Sequence, residues 1–208
     1  MFFLAAALAA EQKIEPIKLP APQLERGKTI MQALKNRQSF RNIAPDKLTL
    51  QELGNILWAA CGVNRPESGK RTAPTAVNWQ EIDVYVALPE GLYLYDAKAH
   101  VLSPALNEDV RPLSGKQKFV QTAPVVLIYV ADFDRMTRGS ERVPEELQKF
   151  YSATDTGFIS QNVYLYCASE GLATVVIGMV DKPQLEQKMK LKPAQHVILT
   201  QPVGLPGK

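Results

Sequence analysis

The stretch Ile82-Asp-Val-Tyr-Val-Ala-Leu-Pro-Glu-Gly-Leu-Tyr-Leu-Tyr95 decides the fold. Residues 82–88 and 92–95 are rich in β-branched and aromatic side chains, which favour strands. Pro89-Glu90-Gly91 lies between them and predicts a tight turn, so the two strands are expected to form an antiparallel hairpin. The continuously apolar run Val125–Val130 predicts a further, central strand that is buried on both faces.

Helical patterns surround these strands without alternating with them. The clearest begins at the capping box Thr49-Leu-Gln-Glu52, continues as an apolar stripe at helical spacing and stops near Gly62. The absence of βαβ order predicts an α+β fold rather than a doubly wound α/β fold. Segment 64–80 has no clear period and is rich in Pro, Gly and Arg, so it is predicted as a loop. The remaining predicted elements are helices at 28–36, 155–170 (closed by Gly171) and 183–190, and strands at 174–177 and 197–200.

Composition excludes several classes of function. The chain has 208 residues, 46% hydrophobic and 22% charged, with a net charge of +3. Its cations are interspersed with acids, so the sequence predicts no nucleic-acid partner. His100 and His196 lack Cys, His or carboxylate partners at ligand spacing, which argues against a metal site. Cys61 and Cys167 lie in apolar helical patterns, which favours two buried thiols over a disulfide.

The N-terminal part of the chain differs from the rest. Residues 1–26 are predicted to form an extended arm, followed by one domain at 27–208. The first ten residues are apolar, and Ala7-Leu8-Ala9 fits the small-x-small cleavage pattern of a signal peptide. The run is too short to span a bilayer, so no membrane insertion is expected. The sequence favours an exported, periplasmic protein, with the cytoplasm as the alternative.

Three clusters could bind a ligand. Arg37-Gln-Ser-Phe-Arg41 offers two guanidinium groups and a hydroxyl, which suit a phosphate, although cations after a helix also complement its dipole. Gly69–Gln80 combines small residues with amide side chains, as a flat heterocycle requires or as an ordinary surface loop allows. The third cluster combines Gly171–Gly178 with the helical segment before it, Gly157–Tyr166. Gly178 ends an apolar strand, where it either exposes its N–H to a ligand or simply begins a turn.

The order and spacing of these clusters resemble the nitroreductase superfamily, in particular the branch with stand-alone azoline-oxidase-like proteins. The resemblance covers residues 27–208. It is carried by Arg37-Gln-Ser-Phe-Arg41, Leu57-Trp-Ala-Ala-Cys-Gly-Val-Asn-Arg65, Arg71-Thr-Ala-Pro-Thr-Ala-Val-Asn-Trp-Gln80, Gly91-Leu-Tyr-Leu-Tyr-Asp96, Gly157-Phe-Ile-Ser-Gln-Asn162, Gly171-Leu-Ala-Thr174 and Gln201-Pro-Val-Gly-Leu-Pro206. It implies a central, mostly antiparallel sheet flanked by helices, an intertwined homodimer, and one FMN in each of two shared clefts.

The resemblance also implies roles for individual residues. Those expected to bind FMN are Arg37, Gln38, Ser39, Arg41, Pro74, Thr75, Ala76, Asn78, Ile177, Gly178 and Lys208. Arg37 and Ser39 would hold the phosphate and ribityl chain, and Lys208 is the candidate for a basic residue that closes the phosphate site. Residues Pro74, Thr75, Ala76 and Asn78 would come from the other subunit. Arg41 and Gly178 are the expected catalytic groups. Arg41 would stabilise negative charge at N1 and O2 of the ring, and a backbone N–H at 177–178 would reach N5.

The activity implied by the resemblance is a ping-pong reaction in which NAD(P)H reduces the flavin and the flavin then reduces a small planar acceptor, such as a nitroaromatic or a quinone. Two alternatives stay open: a dehydrogenase or oxidase of an azoline-like heterocycle, and a protein that carries flavin without turnover. Segment 132–151 is expected to pack over the cleft and to influence substrate choice.

Overall fold

The computed structural model describes residues 13–208, so the signal-like segment at residues 1–10 lies outside the described part of the chain. The fold is built on a seven-stranded sheet in the order β1-β6-β5-β4-β7-β11-β10, and every neighbouring pair is antiparallel. Two short hairpins, β2–β3 and β8–β9, lie outside it. The strands are β1 (Ile17–Lys18), β2 (Val63–Arg65), β3 (Lys70–Arg71), β4 (Ile82–Leu88), β5 (Gly91–Asp96), β6 (Val101–Leu106), β7 (Val125–Asp132), β8 (Thr137–Arg138), β9 (Glu141–Arg142), β10 (Ala173–Thr174) and β11 (Gln195–Gly204).

Helices cover both faces of the sheet. They are α1 (Ile30–Asn36), α2 (Leu50–Cys61), α3 (Lys118–Thr122), α4 (Glu145–Glu170) and α5 (Lys182–Met189). Alternate residues of β7 serve the two cores: Leu127 and Tyr129 face the core of α2 and α4, whereas Val126 and Ile128 face the core of α5. Burial on both faces explains why β7 is apolar without interruption. The α+β class and the antiparallel sheet are therefore confirmed.

A buried hydrogen-bond chain holds α4 against the sheet. The Tyr129 hydroxyl on β7 donates to Gln201 Oε1 on β11 at 2.5 Å, and Gln201 Nε2 donates to the Ser160 carbonyl on α4 at 3.4 Å. Each of these buried polar groups gains a partner in an otherwise apolar interior. The contact fixes the rotation of α4 one turn before Tyr164.

The local signals proved accurate where they were strong. The hairpin of β4 and β5 is confirmed, with Leu88 opposite Gly91. The capping box is also confirmed, because Thr49 and Glu52 satisfy each other's backbone N–H groups at the start of α2. Gly171 closes α4 in the left-handed conformation, with φ 76°. Both cysteines are free and buried, as expected.

Three expectations were wrong. Segment 64–80 contains the hairpin β2–β3 and a 3-10 turn at Ala76–Asn78. Strand β6 was missed because Pro104 interrupts its pattern; proline is tolerated there because β1 pairs only with Val101 and Leu102. Helix α4 begins at Glu145, ten residues before the predicted start at Asp155, so it includes the last part of segment 132–151. The described residues contain no helix with the length and apolar character that a membrane crossing requires.

Candidate functional site

The first cluster lies where α1 ends beside the edge strand β10. The Arg37 N–H donates to the Ala33 carbonyl at 2.8 Å and ends α1, and the Phe40 N–H donates to the Thr174 carbonyl on β10 at 3.0 Å. These two bonds fix both ends of residues 37–40. The Arg37–Arg41 segment is therefore held against the sheet edge near the expected N5-side strand.

Tyr164 of α4 joins this segment to residues 175–178, which follow β10; the strand predicted at 174–177 ends at Thr174 in the structure. Its hydroxyl accepts a hydrogen bond from the Val176 N–H at 2.8 Å and lies 3.1 Å from Ser39 Oγ. The guanidinium carbon of Arg37 lies 5.4 Å from the centre of its ring, a cation–π arrangement. Since the Tyr164 oxygen already accepts from Val176, its own proton can go to Ser39. The exposed Ser39 hydroxyl then keeps its proton for an outside acceptor.

The two arginines of the first cluster form no salt bridge with any of the residues described. Within residues 13–208, neither Arg37 nor Arg41 is in a salt bridge, whereas Arg26, Arg111 and Arg135 each pair with a carboxylate. Arg41 is exposed, as is its neighbour Gln38. Two guanidinium groups without acidic partners, next to an oriented hydroxyl, make a surface suited to an anion such as phosphate.

The C-terminal segment runs beside the same cluster. The Asn42 carbonyl accepts from the Gly207 N–H at 2.9 Å, and Asn42 Nδ2 donates to the Lys208 carbonyl at 3.2 Å. The Ala44 N–H donates to the Leu205 carbonyl at 2.9 Å. These contacts place the backbone of the exposed residue Lys208 beside Asn42, the neighbour of Arg41.

Ile177 and Gly178 differ in what their backbones can offer. The Ile177 N–H donates to the Thr200 carbonyl at 2.8 Å, so it has no bond left for a ligand. Gly178 is exposed, and in the part of the chain that the structure describes its N–H donates no hydrogen bond. A Cβ built on Gly178 would first meet Leu199 Cδ2 at 3.6 Å, an ordinary contact. Of the two residues, Gly178 has the N–H that can bind a ligand.

The part of the second cluster that was expected to bind FMN, residues 74–80, does not lie beside the first cluster of the same chain. The Ala76 N–H donates to Asp155 Oδ2 on α4 at 2.8 Å. Asp155 and Tyr164 are nine residues apart, which separates them by about 14 Å along α4 and by about half a turn around it. The two clusters therefore lie on opposite sides of α4, and one chain does not bring them to one ligand. Pro74 and Asn78 are exposed, and Thr75 and Ala76 are half-buried.

Two buried carboxyl groups lie beneath this second cluster. Asp155 is 2% exposed and Glu81 is fully buried, at 0%. Burial, together with the nearby Asp155 carboxylate, raises the pKa of Glu81 from 4.5 to about 7, although Arg135 acts in the opposite direction. Sequence reasoning missed Glu81 and Asp155, and it gave no role to Tyr164 within the segment 157–166. Only the position of Glu81, directly before a strand, could have drawn attention to it.

Apolar side chains are exposed on α1 and on the helix it packs against, α4. On α1, Ile30 is 60% exposed and Met31 is 71% exposed, and on α4 Phe158 is 43% exposed. Leu34 of α1 is also exposed, at 47%, whereas Ala33 of the same helix is buried. Exposed apolar surface of this kind commonly marks a protein interface. No group of three or more potential metal-binding residues occurs among the residues described.

Known proteins resemble this chain in both sequence and fold. Residues 34–205 match the model of the Nitroreductase family. The nitroreductase homologue MJ1384 of Methanocaldococcus jannaschii is 32% identical over 200 residues, 91% of this chain and 97% of that protein. A nitroreductase homologue of Ralstonia eutropha JMP134 superimposes with a TM-score of 0.87 at 40% identity, covering 94% of this chain and 91% of the other. The NADPH:FMN oxidoreductase of Vibrio harveyi shares the fold, with a TM-score of 0.65 at 17% identity over 87% of this chain and 70% of the other.

Proposed function

The chain belongs to the nitroreductase family, and on this basis we propose that it is an FMN-dependent oxidoreductase that uses NAD(P)H to reduce nitroaromatics, quinones or similar planar acceptors. One observation carries the proposal. The uncommitted cations Arg37 and Arg41, the oriented hydroxyl of Ser39 and the free N–H of Gly178 belong to segments that Tyr164 ties together.

The residues present fit a phosphorylated flavin. Arg37 would supply a charge-assisted hydrogen bond to the phosphate and Ser39 a neutral one. Lys208, whose carbonyl is bonded to Asn42, would add a second positive charge. Gln38 is exposed next to them. Gly178 presents an N–H with no side chain in front of it, as the edge of a flat ring requires.

A homodimer would complete the site. Residues 74–78 lie on the opposite side of α4 from Ser39, so the Pro74, Thr75, Ala76 and Asn78 of a second chain would have to close the cleft. The exposed apolar residues Ile30, Met31 and Phe158 supply a surface for that contact. A symmetric dimer buries the same patch on both chains and generates two equal sites.

When bound, the flavin supplies the redox chemistry, and the protein supplies position and charge. Arg37 and Ser39 would anchor the phosphate end. Arg41 would place a positive charge near the ring edge that becomes negative on reduction, which raises the reduction potential. The N–H of Gly178, which makes no hydrogen bond within residues 13–208, would orient the opposite edge, and Ile177 would support it through its bonds to Thr200.

The nicotinamide donor is part of the proposal. The family match and the fold shared with an NADPH:FMN oxidoreductase, whose structure was solved with NAD+, support it. Donor and acceptor would use the same face of the flavin in turn, which gives ping-pong kinetics.

The test starts from the purified protein after incubation with FMN and gel filtration. We expect a yellow dimer that NADPH or NADH bleaches without oxygen and that a nitroaromatic or quinone reoxidises. Gly178→Ala should weaken FMN binding while the stability of the FMN-free protein stays unchanged, because the chain itself has room for the methyl group. A protein that takes up no FMN refutes the proposal. Bound flavin that NAD(P)H fails to bleach refutes the reductase and leaves the oxidase or carrier.

A further inference from the structure

The loop at residues 75–80 has an unusual backbone. Val77, Asn78 and Gln80 all adopt the left-handed conformation, with φ of 43°, 61° and 51°. Asparagine tolerates this region, but a β-branched residue such as Val77 is strongly disfavoured there. Val77 is also exposed, so its own packing does not compensate. Contacts elsewhere must hold the loop in place.

Hydrogen bonds from three directions hold it. The Gln80 N–H donates to Thr75 Oγ1 at 3.0 Å, which closes the loop on itself. Trp79 Nε1 donates to the Thr137 carbonyl at 2.7 Å. The Ala76 N–H donates to Asp155 Oδ2 at 2.8 Å, and this bond ties the loop to α4. Of these three bonds, the one from the Ala76 N–H is the strongest, because its acceptor is a carboxylate.

Glu81 follows the loop directly and is fully buried. Neither of its carboxylate oxygens has a hydrogen-bond partner among the described residues. An unpaired buried carboxylate is very unfavourable unless the group is protonated. Burial and the neighbouring Asp155 raise the pKa of Glu81 to about 7, which agrees with a proton held there in neutral solution.

The charged groups around the pair are few. On α4 the group that faces Glu81 is Asp155, and Arg135 approaches from the 3-10 turn after β7. Arg135 is already engaged, since it pairs with Asp83 of β4 and with Asp132 of β7, and it donates to the Gln80 carbonyl at 2.9 Å. It therefore does not neutralise Glu81 by a direct bond.

We propose that Glu81 and Asp155 are positioning residues: they share one buried proton, and the shared proton keeps Asp155 in place to hold residues 75–80 in their ligand-binding conformation. With Asp155 Oδ2 occupied by the Ala76 N–H, the other oxygen is left for the Glu81 proton. Loss of that proton places two negative charges side by side in the interior, so they repel and the hold on the loop weakens. The inference rests on the proposed function only in that the loop covers a flavin.

The first test monitors the conformation of the loop by fluorescence in the absence of flavin. Trp58→Phe leaves Trp79 as the single tryptophan of the chain, and its fluorescence in the FMN-free protein reports on the loop between pH 5.5 and 9. We expect one transition near pH 7. Glu81→Gln, which is neutral and keeps a donor toward Asp155, should abolish the transition and retain the low-pH spectrum. Asp155→Ala should give the high-pH spectrum throughout, and Glu146→Gln, an exposed control in the first turn of α4, should titrate like the parent.

Flavin binding provides the second readout. In the parent protein the Kd for FMN should rise about tenfold above the transition, as for the loss of one hydrogen bond to a charged group; in Glu81→Gln it should stay at its low-pH value. If Glu81→Gln does not fold, the infrared band of a protonated buried carboxyl in the parent should disappear through the same pH range. A Glu81→Gln protein that titrates like its parent, or a parent without that band, overturns the inference. If Trp79 shows the transition but the protein binds no FMN, the proposed function is refuted, whereas the inference about the proton between Glu81 and Asp155 is supported.

Discussion

Replacing Tyr164 by Phe removes one hydroxyl group and leaves the ring under Arg37 in place. The lost group accepts from the Val176 N–H at 2.8 Å and lies 3.1 Å from Ser39 Oγ. Each such bond contributes about 0.5–1.5 kcal/mol, and the bond to the exposed Ser39 lies at the low end of that range, so the free energy of unfolding should fall by about 1–2 kcal/mol. For a chain of this length, that corresponds to a decrease in Tm of about 2–8 °C.

The same change should weaken FMN binding, because the Ser39 hydroxyl loses the partner that orients it. A cost of about 1 kcal/mol corresponds to a Kd about five times higher. A double-mutant cycle with Ser39→Ala isolates the coupling between the two hydroxyls, which we expect to be about 1 kcal/mol in FMN affinity.

Tyr166→Phe is the matched control, two residues further along α4. Its hydroxyl oxygen is buried and has no hydrogen-bond partner within residues 13–208, so its removal should leave stability and FMN affinity close to those of the parent. Urea unfolding of the FMN-free proteins and titration with FMN measure the two quantities. If Tyr164→Phe and Tyr166→Phe have the same stability and the same FMN affinity, Tyr164 does not organise the site.

Three further predictions address charge. Arg41→Ala should lower the flavin's midpoint potential by about 30–60 mV in a folded dimer, as for removal of one nearby charge from a two-electron couple; an unchanged potential would exclude Arg41 from that role. Arg37→Ala should lose FMN during gel filtration, and normal retention would argue against a phosphate contact. The folded-state pKa of Glu81, about 7, lies above its ordinary 4.5, so the native protein binds this proton more tightly than the unfolded chain, and stability should fall by up to about 3 kcal/mol as pH rises from 4.5 through 7. Urea unfolding at several pH values should show this fall in the parent and not in Glu81→Gln; equal slopes in the two proteins would contradict the assignment.

The sequence predicted elements whose signals are local. The β4–β5 hairpin follows from strand-forming residues around a Pro-Glu-Gly turn, and the start of α2 follows from the reciprocal bonds of Thr49 and Glu52. The first ten residues of α4 were missed because the buried residues there, Gln148 and Ser152, are polar. A helix that buries no apolar stripe has no hydrophobic period to detect.

The site could be predicted only in part, for a related reason. The cations of residues 37–41 were identified from their types, but Tyr164 acquires its role through bonds to Ser39 and Val176, which are distant in sequence. Glu81 resembled a charged residue that flanks a strand, and only the packing of α4 shows that it is buried against another acid. Pairings between distant segments have no signature within either segment.

The place of β11 in the sheet has a consequence for biosynthesis. This strand lies between β7 and β10, yet it comes from residues 195–204, far along the chain. While the ribosome is still adding those residues, the long apolar strand β7 has one open edge, which favours pairing with other chains. A nascent chain cut before residue 195 should therefore need a chaperone to stay in solution.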